Sequence, residues 1–443
     1  MTGWIGYNQA VTSITNISGR LTQLPTYASL ASVLRPGLGL DAIYVHVPFC
    51  SSKCHYCDFY SLAGHLEKAG AYLNALEAEV RLHKPLFGRA KPRTVFIGGG
   101  TPTLLAPRDL ERLLTILRGN FDLSGVTEFT VEANPNTFDA ERAAVLAVGG
   151  VNRISFGAQS FHRSELAMLQ RDHDPESVAA AFEIARAAGI ENLNLDLIFG
   201  IPGQSLDSWE YSLSRALALQ PQHISCYSLT YEANTPMTAR MHRGDFQKID
   251  EALELDMFLH VFTRLRDAGF VRYETSNFAR MLPDGGARIC QHNLAYWKAG
   301  NWLGLGPSAG SHVKTPGGAA AAAQWKNAGS LTHYCEALLA PVPRVPVTQL
   351  EELPPNTWLA AAAVFWLRLA EGLNFEEFRR QTGFDVEAKV RKVLAPFESE
   401  QFVATDASTA RITDKGVPVS NHILERVLAA IEQDLPAHHH GAV

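Results

Sequence analysis

No stretch of this sequence approaches the roughly 18 uninterrupted apolar residues that a membrane-spanning helix requires. The longest apolar run, 358–369, is short and carries Arg368. No membrane span is therefore expected. A strong charge excess is missing too. The formal net charge of −6 over 443 residues exerts no general pull toward nucleic acid or anionic lipid, and no nucleic-acid partner is expected. Acidic residues are absent from the first 40 positions, whose only charged side chains are Arg20 and Arg35. An organellar transit peptide has that look, but two arginines are sparse for one. Residues 1–40 read as a poorly ordered N-terminal extension. Cysteines are few, at 50, 54, 57, 226, 290 and 335. A secreted disulfide framework would space them differently. Three of the six crowd into the segment 50–57, which reads as a metal site in a reducing compartment, hence a cytoplasmic protein. Cys226 and Cys335 read as buried small hydrophobes.

From about residue 41 the chain alternates short β-branched runs with amphipathic stretches. Strands are expected at 43–47, 94–97, 128–132, 153–156, 192–198, 224–229 and 271–274. Helices are expected between them, at 65–82, 108–117, 140–146, 176–188, 206–219 and 249–267. Units of roughly 30 to 35 residues suit right-handed βαβ crossovers and a parallel sheet covered by helices. The fold class is α/β, as a partial (β/α)6-type TIM-like barrel over residues 41–315. Glycine and polar residues gather just after the strands, where parallel barrels collect their chemistry. The low-complexity run 316–323 reads as a loop, within a flexible connection over 316–349. Helices, a hairpin at 402–405 and 410–413, and a last helix from about Asn421 suggest a small winged-helix-like domain over 350–435. Such domains often bind DNA, but fold alone does not decide function.

The cysteine segment reads Pro48, Phe49, Cys50, Ser51, Ser52, Lys53, Cys54, His55, Tyr56, Cys57, Asp58, Phe59. The spacing is Cys-x3-Cys-x2-Cys. Thiolates hold iron–sulfur clusters, and three of them on a four-iron cubane leave one iron open to an external chelator. Structural zinc is the competing reading. It needs four closed ligands, and His46 or His55 would have to complete a strained site. Further along come Gly98, Gly99, Gly100 and Thr101 after the second strand. Glu132 and Asn134 follow the third, Gln159 follows the fourth, Arg171 lies shortly after, and Asp196 lies within the fifth. A glycine turn, a helix cap and a surface ion pair would explain these singly. Their order argues for one shared site.

The cysteine spacing, with an aromatic residue before the last cysteine, resembles the radical S-adenosylmethionine superfamily. There the amino and carboxylate groups of S-adenosylmethionine chelate the open iron, and one electron cleaves its C–S bond to give a 5′-deoxyadenosyl radical. The whole pattern from about Asp41 to Thr413 resembles the oxygen-independent coproporphyrinogen III oxidase family and its HemW-type heme-chaperone relatives. The resemblance implies a [4Fe-4S] cluster on Cys50, Cys54 and Cys57. It implies S-adenosylmethionine contacts at Tyr44, Gly99, Gly100, Thr101 and Glu132, and further cofactor contacts at Tyr56, Gln159, Arg171 and Asp196. The decarboxylating oxidases carry a fourth cysteine two residues after the third, where this chain has Phe59. That departure points to the chaperone branch.

The run Gln291, His292, Asn293, Leu294, Ala295, Tyr296, Trp297 resembles the chaperones' His-Asn-x-x-Tyr-Trp motif. Imidazole is a common heme ligand and aromatics stack on porphyrins, so His292 is the candidate heme contact, with Cys290 a weaker one. The alternative for His292 is a hydrogen-bonded core histidine. The chaperone resemblance implies heme, an acceptor hemoprotein and an electron donor as partners. If the protein is an enzyme, it is an oxidoreductase of the coproporphyrinogen dehydrogenase type, acting in porphyrin biosynthesis.

Overall fold

The computed structural model describes residues 33–34, 36–88, 90–315 and 321–433. The expected N-terminal extension falls almost wholly outside the described residues. So do 316–320 of the expected loop.

Six strands and the helices between them make the frame. They are β1 (Ala42–Val47), β2 (Thr94–Gly99), β3 (Glu128–Ala133), β4 (Arg153–Gln159), β5 (Asn192–Phe199) and β6 (His223–Ser228). They lie side by side in sequence order, each parallel to the next. β1, β2 and β3 are buried at all six positions, as strands covered on both faces must be. The helices α1 (Ala69–Phe87), α2 (Pro107–Asn120), α3 (Ala140–Val148), α5 (Pro175–Ala187) and α6 (Leu206–Ala218) form the outer layer, with the short α4 (Arg163–Leu169) after β4. α2 shows how the sequence builds it. Leu110, Leu113, Leu114 and Leu117 recur at helical spacing and are all buried, and Pro107 starts the helix, where its missing N–H costs nothing. Ser205 caps α6 through a reciprocal bond with Ser208.

After β6 come α7 (Pro236–His242) and α8 (Glu251–Asp267). Then β7 (Phe270–Arg272) and β8 (Asn277–Arg280) add an antiparallel edge beside β6. The seventh expected strand is therefore the β7 edge and not another parallel unit. A short helix α9 (Gln291–Trp297) precedes β9 (Trp302–Leu305), which returns to lie parallel to β1.

The expected flexible connection needs correction. Within 321–353 lie β11 (Ala322–Asn327), α10 (Leu331–Leu338) and β12 (Val347–Leu353). With β10 (Gly310–Lys314), these strands extend the barrel sheet, whose full order is β12-β11-β10-β9-β1-β2-β3-β4-β5-β6-β8-β7. The alanine-rich run misled because Ala322 and Ala323 are buried strand residues, with Trp325 buried beside them. β12 and β7 end the sheet without pairing to each other, so the barrel is open.

The remaining chain forms the smaller unit. It holds α11 (Pro355–Arg368), α12 (Phe375–Thr382), α13 (Glu387–Glu398), α14 (Ser420–Gln433) and a three-stranded sheet of β13 (Leu373–Asn374), β15 (Thr409–Ile412) and β14 (Val403–Thr405). Among the described residues, no helix is long and apolar enough to cross a membrane.

Candidate functional site

The cysteine loop leaves the top of β1 and lies across the C-terminal ends of the strands. Several bonds pin it there. The His55 N–H donates to the Leu169 carbonyl (3.3 Å), the Met237 N–H donates to the His55 carbonyl (2.8 Å), and Cys57 N–H turns back to the Cys54 carbonyl (3.3 Å). Arg240 donates to His55 Nδ1 at 3.1 Å. Lys53 donates to the Phe59 carbonyl and to Ser61 Oγ. Leu169, Met237 and Arg240 lie far from the loop in sequence, so part of the loop's shape is a tertiary product.

Cys50, Cys54 and Cys57 are free thiols, each partly buried, and all three line one narrow cleft of about 40 Å3 with Tyr56, Gly99 and Arg171. Burial pushes the Cys57 thiol up to about 12, although Lys53 opposes the shift. Burial also raises Cys50. Thiols held that high become thiolates at neutral pH only when a metal takes the proton's place. Thr101 Oγ1 lies 3.8 Å from Cys50 Sγ. Arg171 donates to Cys54 Sγ at 3.5 Å and to the Gly157 carbonyl at 2.7 Å. Burial works against the Arg171 charge, but Tyr56 and Cys54 hold it protonated, and its buried Nε has no partner among the described residues.

The glycine turn sits against the same loop. Gly100 N–H donates to Val47 O at 2.8 Å and Thr101 N–H to Phe49 O at 2.6 Å. Gly99 N–H donates to Glu132 Oε2 at 3.0 Å. These three donors are already engaged, so the turn presents carbonyl oxygens to a ligand rather than N–H groups. That suits an ammonium group better than a carboxylate. Burial raises the Glu132 carboxyl, Asp196 adds to the rise, and the Gly99 N–H opposes it. Asp196 accepts from Ser155 (3.2 Å) and Asn194 (2.9 Å).

Two expected contacts stand back from the cleft. Tyr44 lies one layer down inside the barrel, packed with Phe96 and Ala309. Its hydroxyl is 3.0 Å from His46 Nδ1, and His46 Nε2 is 2.8 Å from the Tyr60 carbonyl. A carbonyl only accepts, so Nε2 carries the hydrogen and Nδ1 accepts from Tyr44. Gln159 is fully buried with a positive φ of 63°. A register shift between Gly157 and Gln159 makes room for it, and its Oε1 accepts from Tyr227 at 2.9 Å. Its Nε2 has no partner among the described residues. Such an outlier at a strand end suggests function.

Sequence reasoning missed Asp172 and Tyr227. Asp172 accepts from Ser51 at 2.7 Å and from Asn134 at 3.1 Å, tying the cysteine loop to the end of β3. Its place beside Arg171 was the available signal. Tyr227 required the fold, because its partner Gln159 is 68 positions away.

His292 lies at the other mouth of the barrel, away from the cysteine cleft. It is 1% exposed. Its Nδ1 is 2.8 Å from Thr94 Oγ1, its Nε2 is 2.8 Å from the Tyr296 hydroxyl, and its ring stacks on Phe96. Neither nitrogen is open to iron. Burial, with Arg153 nearby, lowers its pKa to about 3. Cys290 is engaged as well, donating to Glu128 at 3.3 Å. Glu128 also accepts the backbone N–H groups of Gln291 and His292. Helix α9 therefore closes the barrel floor. His292→Ala should cost about 3–5 kcal/mol, from two buried hydroxyls left unpaired and the lost ring. Its heme affinity should equal that of the parent protein in a titration. A large affinity loss with unchanged stability would contradict this.

Residues 44–216 match the Radical SAM superfamily and residues 353–419 match the HemN C-terminal domain. The heme chaperone HemW of Bacillus subtilis is 32% identical over 396 residues, covering 88% of this chain and 100% of the relative. This chain belongs to the HemW heme-chaperone family. HemW of Escherichia coli is 39% identical over 282 residues, covering 62% of this chain and 71% of the relative. The solved structure of Escherichia coli coproporphyrinogen III oxidase HemN, a radical SAM enzyme, superposes with a TM-score of 0.75 at 22% identity. It covers 96% of this chain and 99% of HemN, so the two share a fold. Within the HemW family, Phe59 stands in this chain where the sequence pattern of the oxidases places a cysteine.

Proposed function

We propose that the protein is a cytoplasmic heme chaperone that binds heme and passes it to an acceptor hemoprotein, with a [4Fe-4S] cluster held by Cys50, Cys54 and Cys57. The observation that carries this is the convergence of three thiols, the Gly99–Thr101 turn and Arg171 on one cleft. Bound there, a cluster with one open iron supplies a chelation point for S-adenosylmethionine and a one-electron source for its sulfonium. The chain's own groups complete the site. Carbonyl oxygens of the glycine turn accept from the ligand's ammonium. Arg171 brings a fixed positive charge beside Cys54 and toward anionic groups. Glu132 and Asp196 are the buried acceptors for ribose hydroxyls. Phe59 leaves the cysteine set at three, as the chaperone branch has it.

The test is anaerobic reconstitution with iron and sulfide. Parent protein should take up about four irons per chain, and Cys57→Ser should lose the cluster absorption. Anaerobic incubation with a reductant, S-adenosylmethionine and coproporphyrinogen should yield no protoporphyrinogen, while heme should bind saturably. Zinc retained at the three thiols, or efficient decarboxylation, would overturn the proposal. An electron donor and an acceptor hemoprotein are the partners it requires.

A further inference from the structure

A row of polar side chains runs inside the barrel from its floor to the cysteine cleft. The strand pattern creates it. In β5, Leu193, Leu195 and Leu197 join the core beneath the helices, so Asn194 and Asp196 face the barrel interior. β4 sets Ser155 opposite Asn194, and β6 sets His223 opposite Asn194 and Ser225 opposite Asp196. Each of these polar residues is 3% exposed or less. Parallel barrels usually fill this space with branched apolar side chains, and polar groups there cost stability unless they are paired.

They are paired, and in one direction. Asp196 and Ser155 line the cysteine cleft. A carboxylate only accepts, so the Asn194 nitrogen faces Asp196 Oδ1 at 2.9 Å, and its other hydrogen goes to Ser155 Oγ at 2.7 Å. The Asn194 oxygen then faces His223 Nδ1 at 2.6 Å and takes a second bond from Ser225 at 3.3 Å. His223 is neutral, because burial lowers it well below 6.5. Its one hydrogen therefore sits on Nδ1, and Nε2 accepts from the Tyr273 hydroxyl at 2.9 Å. Tyr273 in turn accepts from Asn293 at 3.2 Å. Asn293 is partly exposed on α9, the floor helix. The Asn194 amide has used both hydrogens and both lone pairs, so it cannot turn without breaking the row.

We propose that this row positions Asp196 for its ligand, with His223 and Tyr273 as positioning residues and Asn293 as the outer end. This rests on the reading of Asp196 as an acceptor for the ribose hydroxyls of S-adenosylmethionine, and adds what holds that acceptor in place. Asn194 takes Oδ1 of the carboxylate and Ser155 takes Oδ2 at 3.2 Å. Each oxygen is steered, and each keeps a second lone pair for the cleft. An acceptor fixed beforehand spares the ligand the cost of ordering it. Through Asn293, the motif at the barrel floor acts on the cofactor site without touching it.

The experiment is calorimetric titration of anaerobically reconstituted, unreduced full-length protein with S-adenosylmethionine. Tyr273→Phe keeps the ring and removes one hydroxyl. It should weaken binding about tenfold, the loss expected for one hydrogen bond, while iron uptake stays at the parent level. Asn293→Ala should weaken binding too, by less. In an Asp196→Ala background neither change should add to the loss already present. Leu394→Ala, in the buried core of the C-terminal unit, should lower the melting temperature without changing the affinity. If the reconstituted parent does not bind S-adenosylmethionine, the cofactor reading fails and this inference with it. If the parent binds, and Tyr273→Phe and Asn293→Ala bind equally well, the cofactor reading stands and the positioning role is overturned. It is overturned as well if the Tyr273→Phe loss persists on top of Asp196→Ala, or if Leu394→Ala weakens binding as much. Should Tyr273→Phe not fold, Asn293→Ala decides, alone and combined with Asp196→Ala.

Discussion

Taking the protein from pH 6.5 to pH 4 should remove most of its folding stability. Burial lowers His292 from 6.5 to about 3, and His46, His173 and His312 to about 4. His223 is lowered well below its usual value as well. All five stay neutral in the folded protein at pH 6, while the unfolded chain protonates them. The unfolded state then binds more protons, so stability falls as pH falls. The loss starts near the unfolded value of 6.5 and is complete only below the folded values. Each histidine contributes about 1.4 kcal/mol per pH unit inside that window. Buried Glu132 and Glu274 oppose this. Their carboxyls are raised by burial, so they lose stability as pH rises through their own window. Two groups offset five only in part. The net slope should be several kcal/mol per unit, against a total of about 5–15 kcal/mol for a folded domain. Urea midpoints of the metal-free protein at pH 7, 6 and 5 measure it, and a flat profile across that range would refute the reasoning.

Gly100→Ala should destroy the cysteine site without touching a cysteine. A Cβ at Gly100 would lie 2.5 Å from the Phe49 carbonyl and 2.8 Å from the Val47 carbonyl, both backbone atoms. Phe49 immediately precedes Cys50, so any relief of the clash moves the first thiol. Gly99→Ala should be as severe for a different reason. Its φ is +103°, and its Cβ would lie 2.5 Å from the His46 ring, which Tyr44 and the Tyr60 carbonyl hold in place. Each change should cost roughly 3–5 kcal/mol and abolish iron uptake on reconstitution. A Gly100→Ala protein that melts like the parent and takes up a full iron complement would show that the turn does not support the loop.

The helix and strand sequence was readable because parallel strands buried on both faces leave continuous apolar runs, as in Ala42–Val47. The cysteine triad was equally readable, since three thiols in one short loop admit few chemistries. At Phe59 it was the resemblance to the chaperones that implied the branch. These are local facts carried by neighbouring residues. The surroundings of His292 were not readable, because a motif states which residue types stand together, not which way they face. Thr94, 198 positions away, takes one nitrogen of that ring. The alanine run at 322–323 looked loose for a related reason, since only packing tells a buried strand alanine from a solvent loop.

Composition and spacing by themselves pointed to a barrel of βα units and a cysteine triad, because periodicity and local ligand spacing are written along the chain, while the chaperone branch was implied by the family resemblance at Phe59. Only the tertiary structure decided which end of the barrel each motif occupies, and that Arg171 and the glycine turn meet the cysteines. Those features depend on contacts between residues far apart in sequence, and such contacts exist only once the sheet has closed around them.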